Sequence, residues 1–225
     1  MTICSNCYRI IEDVTTVKDF LWRPLQYGDR MARALEFDYT TALERGSRLF
    51  WETGYYNTSL RDLLKKMGIG EGSFYNTLKS KKNAYLECLK HYNATVNRKQ
   101  GEALFSAPTA AAGVRALFQT VLCCLDDPDT PSRLCLMAGS ITPTVLAEPD
   151  LHEYIERQMS MAADGMVARL AADKDAGLLP EEFDPQIVVP IIITYLQGIW
   201  RMALVSYNRT RFERQIDLFL TSLGL

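Results

Sequence analysis

Between residues 56 and 81 the chain concentrates side chains suited to polyanion chemistry. Tyr56, Thr58, Ser59, Ser73, Tyr75, Lys79 and Lys81 carry the hydroxyl and ammonium donors that commonly meet phosphate oxygens. Asn76 presents a donor and an acceptor side by side, which suits an adenine edge, and Glu71 offers an acceptor to a cytosine amine. Other chemistry-bearing residues are sparse. The six cysteines are Cys4, Cys7, Cys88, Cys123, Cys124 and Cys135, and neither of the two histidines sits at ligand spacing from a cysteine pair. No zinc template fits that pattern, and no metal or cofactor is expected. No nucleophile–base pair or paired-carboxylate constellation stands out, so the expectation is a protein that is not an enzyme. Cys4-x-x-Cys7 has a reading as a metal or redox site, but it lacks a strand–helix context. Cys123 and Cys124, adjacent on an expected helix, point roughly 100° apart and are not a ready disulfide. Each has two readings: a pocket-facing sensor of oxidants or electrophiles, or a buried and inert thiol.

The phosphate-suited residues need a rigid scaffold, and the local pattern supplies one. Asp38 is a good N-cap, followed by apolar residues at helical spacing through Phe50, and Gly54 stops that helix. Thr58 or Ser59 caps a second helix whose apolar face is Leu60, Leu63, Leu64 and Met67. Gly68-Ile69-Gly70 ends it after two turns, and a short segment, 71–78, follows. Ser80 then caps a long helix reaching about Phe105. Two short helices joined by a glycine turn and followed by a long one form a helix-turn-helix, which presents the second short helix to the major groove. Leu60, Leu63, Leu64, Ile69, Phe74 and Leu78 supply its small core. Beyond it, helices are expected over 114–125, 132–145 with a kink or break near Pro143, 150–176, 185–207 and 211–223. No period-2 strand is found. The expected fold is all-α, with about nine helices.

Composition agrees with a globular chain. The 225 residues are 48% hydrophobic and 23% charged. The net charge of −2 hides an asymmetry: residues 38–99 hold 11 Lys/Arg against 6 Asp/Glu, and residues 100–225 hold 9 against 16. A basic block on an acidic body suggests that one end meets a polyanion, although such clustering also occurs on ordinary solvated faces. No apolar run approaches the ~20 residues of a membrane span, and no signal-peptide pattern opens the chain. The expected location is cytoplasmic, without a membrane partner and with reduced thiols.

Residues 38–95 resemble the DNA-binding domain of the TetR (tetracycline repressor) family. The Gly54-Tyr55-Tyr56-Asn57-Thr58-Ser59 element, the Gly72-Ser73-Phe74-Tyr75 element and the Ser80-Lys81 pair fall at the family's spacing. The resemblance implies that Tyr56 and Thr58 touch phosphate near the start of the first motif helix. It also implies that Glu71, Gly72, Ser73, Tyr75 and Asn76 lie on the recognition helix, and that Lys81 meets phosphate. Thr58 keeps a second reading as a helix cap, Tyr75 as core, and Glu71 as a cap of its own helix. Gly70 stands where the family has polar residues, so any side-chain contact there is lost.

The resemblance further implies a homodimer, double-stranded DNA with an inverted-repeat operator as partner, and a small-molecule inducer that releases a repressor. Expected divisions are a flexible extension at 1–35, a DNA-binding domain at 36–95 with its motif at about 59–78, and a ligand-binding and dimerisation domain at 96–225. The segment around Ile187, Ile192, Leu196 and Trp200 is apolar on more than one face and needs partners on both sides, from a dimer mate or from deep burial. Candidate pocket residues are Phe118, Leu122, Cys123, Met137, His152, Met159, Met166, Tyr195 and Trp200, with His152, Tyr195 and Gln197 as polar anchors. Rival readings are a helical cysteine-based redox or metal-binding protein, and a thiol-switched or activating regulator.

Overall fold

A computed structural model describes residues 38–225. The expected extension at 1–35, with Cys4 and Cys7, lies outside the described residues. The Asp38 carboxylate accepts from the N–H groups of Thr40 and Thr41 at 3.0 and 3.2 Å, opening α1 (Tyr39–Asn57). The remaining elements are α2 (Leu60–Met67), α3 (Glu71–Thr77), α4 (Lys81–Tyr92), a π-helical turn (Asn93–Asn97), α5 (Arg98–Ser106), α6 (Ala110–Asp126), α7 (Leu136–Ser140), α8 (Pro143–Leu146), α9 (Pro149–Asp175), α10 (Pro185–Val205) and α11 (Arg209–Ser222). The described residues contain no strand, and the fold is all-α.

Three local expectations shift. Gly54 kinks α1 rather than stopping it: its φ of +78° breaks the regular helix, and helical hydrogen bonding resumes to Asn57. The long helix after Ser80 is divided by the π-helical turn into α4 and α5. The helix expected over 132–145 begins only at Leu136, and it breaks near Pro143 as expected, into α7 and α8, because Thr142 caps a new start through Val145 N–H at 3.3 Å and Pro143 takes the first helical position. Two divisions turn the expected nine helices or so into eleven α-helical segments among the described residues.

The described chain forms two compact units. The motif unit contains residues 38–97 and 134–156. Leu43, Phe50, Leu63, Met67, Phe74, Leu78, Tyr85 and Leu89 are fully buried in it. Residues 134–156 join this unit through polar ties that the simple boundary at 95/96 does not anticipate. Trp51 Nε1 donates to the Leu134 carbonyl at 2.6 Å, Tyr85 shares a 2.6 Å hydrogen bond with Ser140, and Asn93 donates to Tyr154 at 2.8 Å.

The body unit contains residues 98–133 and 157–225. Its core includes Phe118, Leu122, Ile192, Trp200, Phe212 and Leu220. α5 and α6 touch closely at Gly113, where an added Cβ would stand 2.2 Å from the Leu104 carbonyl oxygen. The buried Asp173 accepts from Ala110 N–H at 2.6 Å and from Arg169 at 2.7 Å, tying α9 to the start of α6. The absence of a membrane-length segment is corrected: α10 has 21 residues and is, among the described residues, the one helix long and apolar enough to cross a bilayer by length and composition. Pro190 and Thr194 interrupt the apolar run in sequence, but the helix continues through both.

Candidate nucleic-acid interface

The helix-turn-helix is assembled by capping and by one left-handed turn. Ser59 begins α2: its hydroxyl accepts from Asp62 N–H at 3.1 Å and donates to the Asp62 carboxylate at 2.6 Å. Gly68 ends the helix at φ +73°, with its N–H bonded to the Leu64 carbonyl at 3.0 Å. Gly70 starts α3 without a side-chain cap. Phe74, fully buried, pins α3 to the core and leaves the neighbouring side chains outward.

The expected contact residues separate by exposure. Glu71, Gly72, Tyr75, Asn76 and Lys79 are exposed, and Ser73 is half-buried. Tyr75, read as either core or contact, is 45% exposed, with its ring edge-on to Phe74 at 5.5 Å. Tyr56 is 79% exposed at the end of α1. Thr58 is different. It is buried, and its hydroxyl bonds the Gly54 carbonyl at 2.7 Å and Thr53 at 2.6 Å, so the side chain braces the kink from inside. Ser59, not Thr58, is the cap.

Past α3 the chain turns through Lys79 at φ +65°, and Lys79 Nζ donates back to the Asn76 carbonyl at 2.5 Å. Ser80 caps α4 through Asn83 N–H at 3.1 Å, while Asn83 Nδ2 donates to the Leu78 carbonyl at 3.0 Å. Sequence reading passed over Asn83. Its signal is an amide in the first turn of α4, within reach of the last carbonyls of α3. Lys81 Nζ donates to the Tyr56 carbonyl at 3.4 Å and lies 4.8 Å from the Tyr55 ring centroid. Two expected phosphate-facing positions, 25 residues apart, thus meet at one edge of the motif. Partial burial pulls the Lys81 ammonium below the ordinary lysine value. The neighbouring Lys82 is committed elsewhere, with ion pairs to Asp150 at 2.9 Å and Glu148 at 3.5 Å.

The expected pocket residues divide between the two units. Met137 and His152 belong to the motif unit, where Met137 is buried and His152 is exposed on α9. His152 is exposed to solvent within the single chain. The other candidates lie in the body unit, with Phe118, Leu122, Met166 and Trp200 buried and Cys123, Met159, Tyr195 and Gln197 half-buried. Phe118 and Tyr195 do meet, at 6.0 Å between centroids, and Tyr195 stacks on Phe219 at 3.8 Å. Sequence reading did not single out Phe219. A cavity of about 380 Å³ beside α1 and α2, lined among others by Leu49, Asn57, Lys65 and Lys66, includes none of the expected pocket residues. Cys88 and Cys135 are buried, and burial raises both thiols, Cys88 to about 12. Among the described residues no group of three or more His, Cys, Asp or Glu is placed to hold a metal ion.

Residues 42–88 match the model of the bacterial regulatory proteins of the tetR family. The HTH-type transcriptional regulator YezE of Bacillus subtilis (strain 168) is 29% identical over 194 residues, covering 86% of this chain and all of that protein. The HTH-type transcriptional repressor ComR of Escherichia coli (strain K12) is 23% identical, covering 84% of this chain and 89% of that protein. The TetR family transcriptional regulator CifR, solved as a cysteine mutant complexed with 26 bp double-strand operator DNA, superposes with a TM-score of 0.75. It is 26% identical, over 84% of this chain and 98% of that one. Residues 42–88 thus match the DNA-binding domain of the bacterial regulatory proteins of the tetR family, and over most of its length the chain is similar to helix-turn-helix transcriptional regulators.

Proposed function

We propose that the protein is a repressor that works as a homodimer, holding two copies of α3 against an inverted-repeat operator in double-stranded DNA in the cytoplasm. The observation that carries this reading is the outward polar face of α3 beside the Lys81–Tyr56 junction. Asn76 and Tyr75 read base edges, while Glu71, Gly72 and Ser73 set the approach of the helix N-terminus. Tyr56, Ser59, Lys79 and Lys81 hold phosphate, and Thr58 supports them from within. The operator-bound CifR and the repressor name of ComR support both partner and sign. α10 and α11 supply the dimer surface through the exposed Ile187, Ile191, Met202, Leu204 and Leu218. A small, largely apolar inducer binds in the body unit, where Phe118, Leu122, Cys123, Met159, Tyr195 and Trp200 are the candidate contacts.

The test is selection of duplexes from a random-sequence library by the intact protein, followed by binding titrations. An enriched inverted repeat bound by a dimer supports the reading. Absence of any enriched repeat, or binding by a monomer, overturns it.

A further inference from the structure

Lys81 differs from the other cations of the motif in having a fixed address. Its ammonium sits 4.8 Å from the Tyr55 ring centroid and 3.4 Å from the Tyr56 carbonyl oxygen. The Tyr55 ring is itself immobilised. It packs against Tyr85 at 4.8 Å between centroids, and Tyr85 is fully buried, edge-on to Phe50 at 4.7 Å. Lys82, the only other lysine in the first turn of α4, is ion-paired with Asp150 and Glu148. The face of the ring is therefore left to Lys81. Lys79, by comparison, has among the described residues no ring beneath it and is tied to its own turn at the Asn76 carbonyl.

We infer that Tyr55 is a positioning residue for DNA binding: its ring, braced by Tyr85, holds the Lys81 ammonium at the junction of α1 and α4 where it meets phosphate. An ammonium over an aromatic face is attracted by the ring quadrupole. A long lysine held there loses less side-chain freedom when phosphate arrives than a lysine free in solvent. A carbonyl and a ring face together leave part of the ammonium open, so the ring orients the charge without neutralising it. The phenolic oxygen has no part in this, and the prediction is specific to the ring. The inference rests on the reading of Lys81 as a phosphate contact.

The experiment uses the full-length protein and a duplex enriched by the wild type from a random-sequence library, with affinity measured across a salt series. Lys81→Ala tests the underlying reading: it should weaken binding and make the salt slope shallower by about one unit. If Lys81→Ala leaves both unchanged, the phosphate assignment itself is wrong. Tyr55→Ile should weaken binding roughly threefold to tenfold and reduce the slope by up to about one unit, while Tyr55→Phe restores both. In the Lys81→Ala background, Tyr55→Ile should add nothing. An unchanged salt slope in Tyr55→Ile, no rescue by Tyr55→Phe, or a full additive loss on top of Lys81→Ala would overturn the inference and leave Tyr55 as core packing alone. A thermal melt of Tyr55→Ile guards the comparison. If that variant unfolds, the cycle is run with Tyr55→Leu and Tyr55→Phe under the same criteria.

Discussion

As proposed DNA contacts, Asn76 and Lys81 offer different chemistry, and binding measurements separate them. Asn76 is exposed on α3, and among the described residues its side-chain amide makes no hydrogen bond that would compete with a base. Asn76→Ala should cost about 1–3 kcal/mol at one base pair and relax preference there, with other positions of the operator read as before. Equal weakening on every duplex would show that Asn76 reads no base. Lys81, as a proposed phosphate contact, would act through charge, so its contribution should be independent of sequence and should depend on pH. The ammonium is the binding form, and burial lowers its proton affinity. Binding should therefore begin to weaken on the acid side of 10.5, the ordinary lysine value, and phosphate should draw a proton back on association. Lys81→Arg, which keeps its charge, should move that loss to higher pH; an unmoved profile would assign it to another group. Residue types and spacing alone single out Tyr56, Asn76 and Lys81 as the proposed contacts. They left Thr58 and Tyr75 with two readings each, because burial is decided by the whole unit. Thr58 turns inward to two partners five and four residues back, whereas Tyr75 follows a buried Phe74 and turns out.

Elements were legible where a local signal fixes them. Asp38, Ser59 and Ser80 all cap helices through their side chains, as their types suggest, and Gly68 takes the left-handed turn. Divisions that depend on packing were less legible. No residue type between Asn93 and Asn97 announces a π-helical turn, and a helix-period pattern runs straight through it. Gly113 is another such case, since its meaning lies 9 residues upstream at the Leu104 carbonyl. Gly113→Ala should force α5 and α6 apart, because an added Cβ at 2.2 Å from a main-chain oxygen cannot be relieved by a side-chain rotation. A destabilisation of about 1–3 kcal/mol is expected, lowering the melting temperature by several degrees. Gly72→Ala is the contrast. Its Cβ would meet nothing within 4 Å, and alanine is the better helix former, so α3 should gain up to about 1 kcal/mol. Equal melting temperatures for the two variants would show that the α5–α6 approach is not rigid.

At the scale of the molecule, two equilibria must be linked for the protein to regulate: assembly and release. Leu218 is 74% exposed and Ile187 62% exposed within one chain, so a charge at Leu218 meets water in the monomer and, if α10 and α11 form the proposed interface, a closed surface in the dimer. Leu218→Asp should leave the fold intact by circular dichroism and shift light scattering to the monomer mass, because an unpaired buried charge costs several kcal/mol. A dimer of unchanged stability would move the interface off α11. Release adds a thermodynamic constraint that needs no structural detail. An inducer lowers DNA affinity only by binding the DNA-free dimer more tightly than the DNA-bound one. Linkage then requires that operator weakens inducer by the same factor by which inducer weakens operator. A coupling of about 1–3 kcal/mol is typical of such systems, or roughly 5- to 150-fold in either affinity. The two factors are measured independently, by calorimetry of a compound that releases DNA, with and without saturating operator, and by DNA titration with and without that compound. Tyr195→Ala in the Phe118–Tyr195–Phe219 cluster should weaken the compound while leaving operator affinity in its absence within about twofold. If the compound binds equally well to the free and DNA-bound dimer, it competes for nothing the operator controls, and the alternatives are a thiol switch at the half-buried Cys123 or Cys124 or constitutive repression.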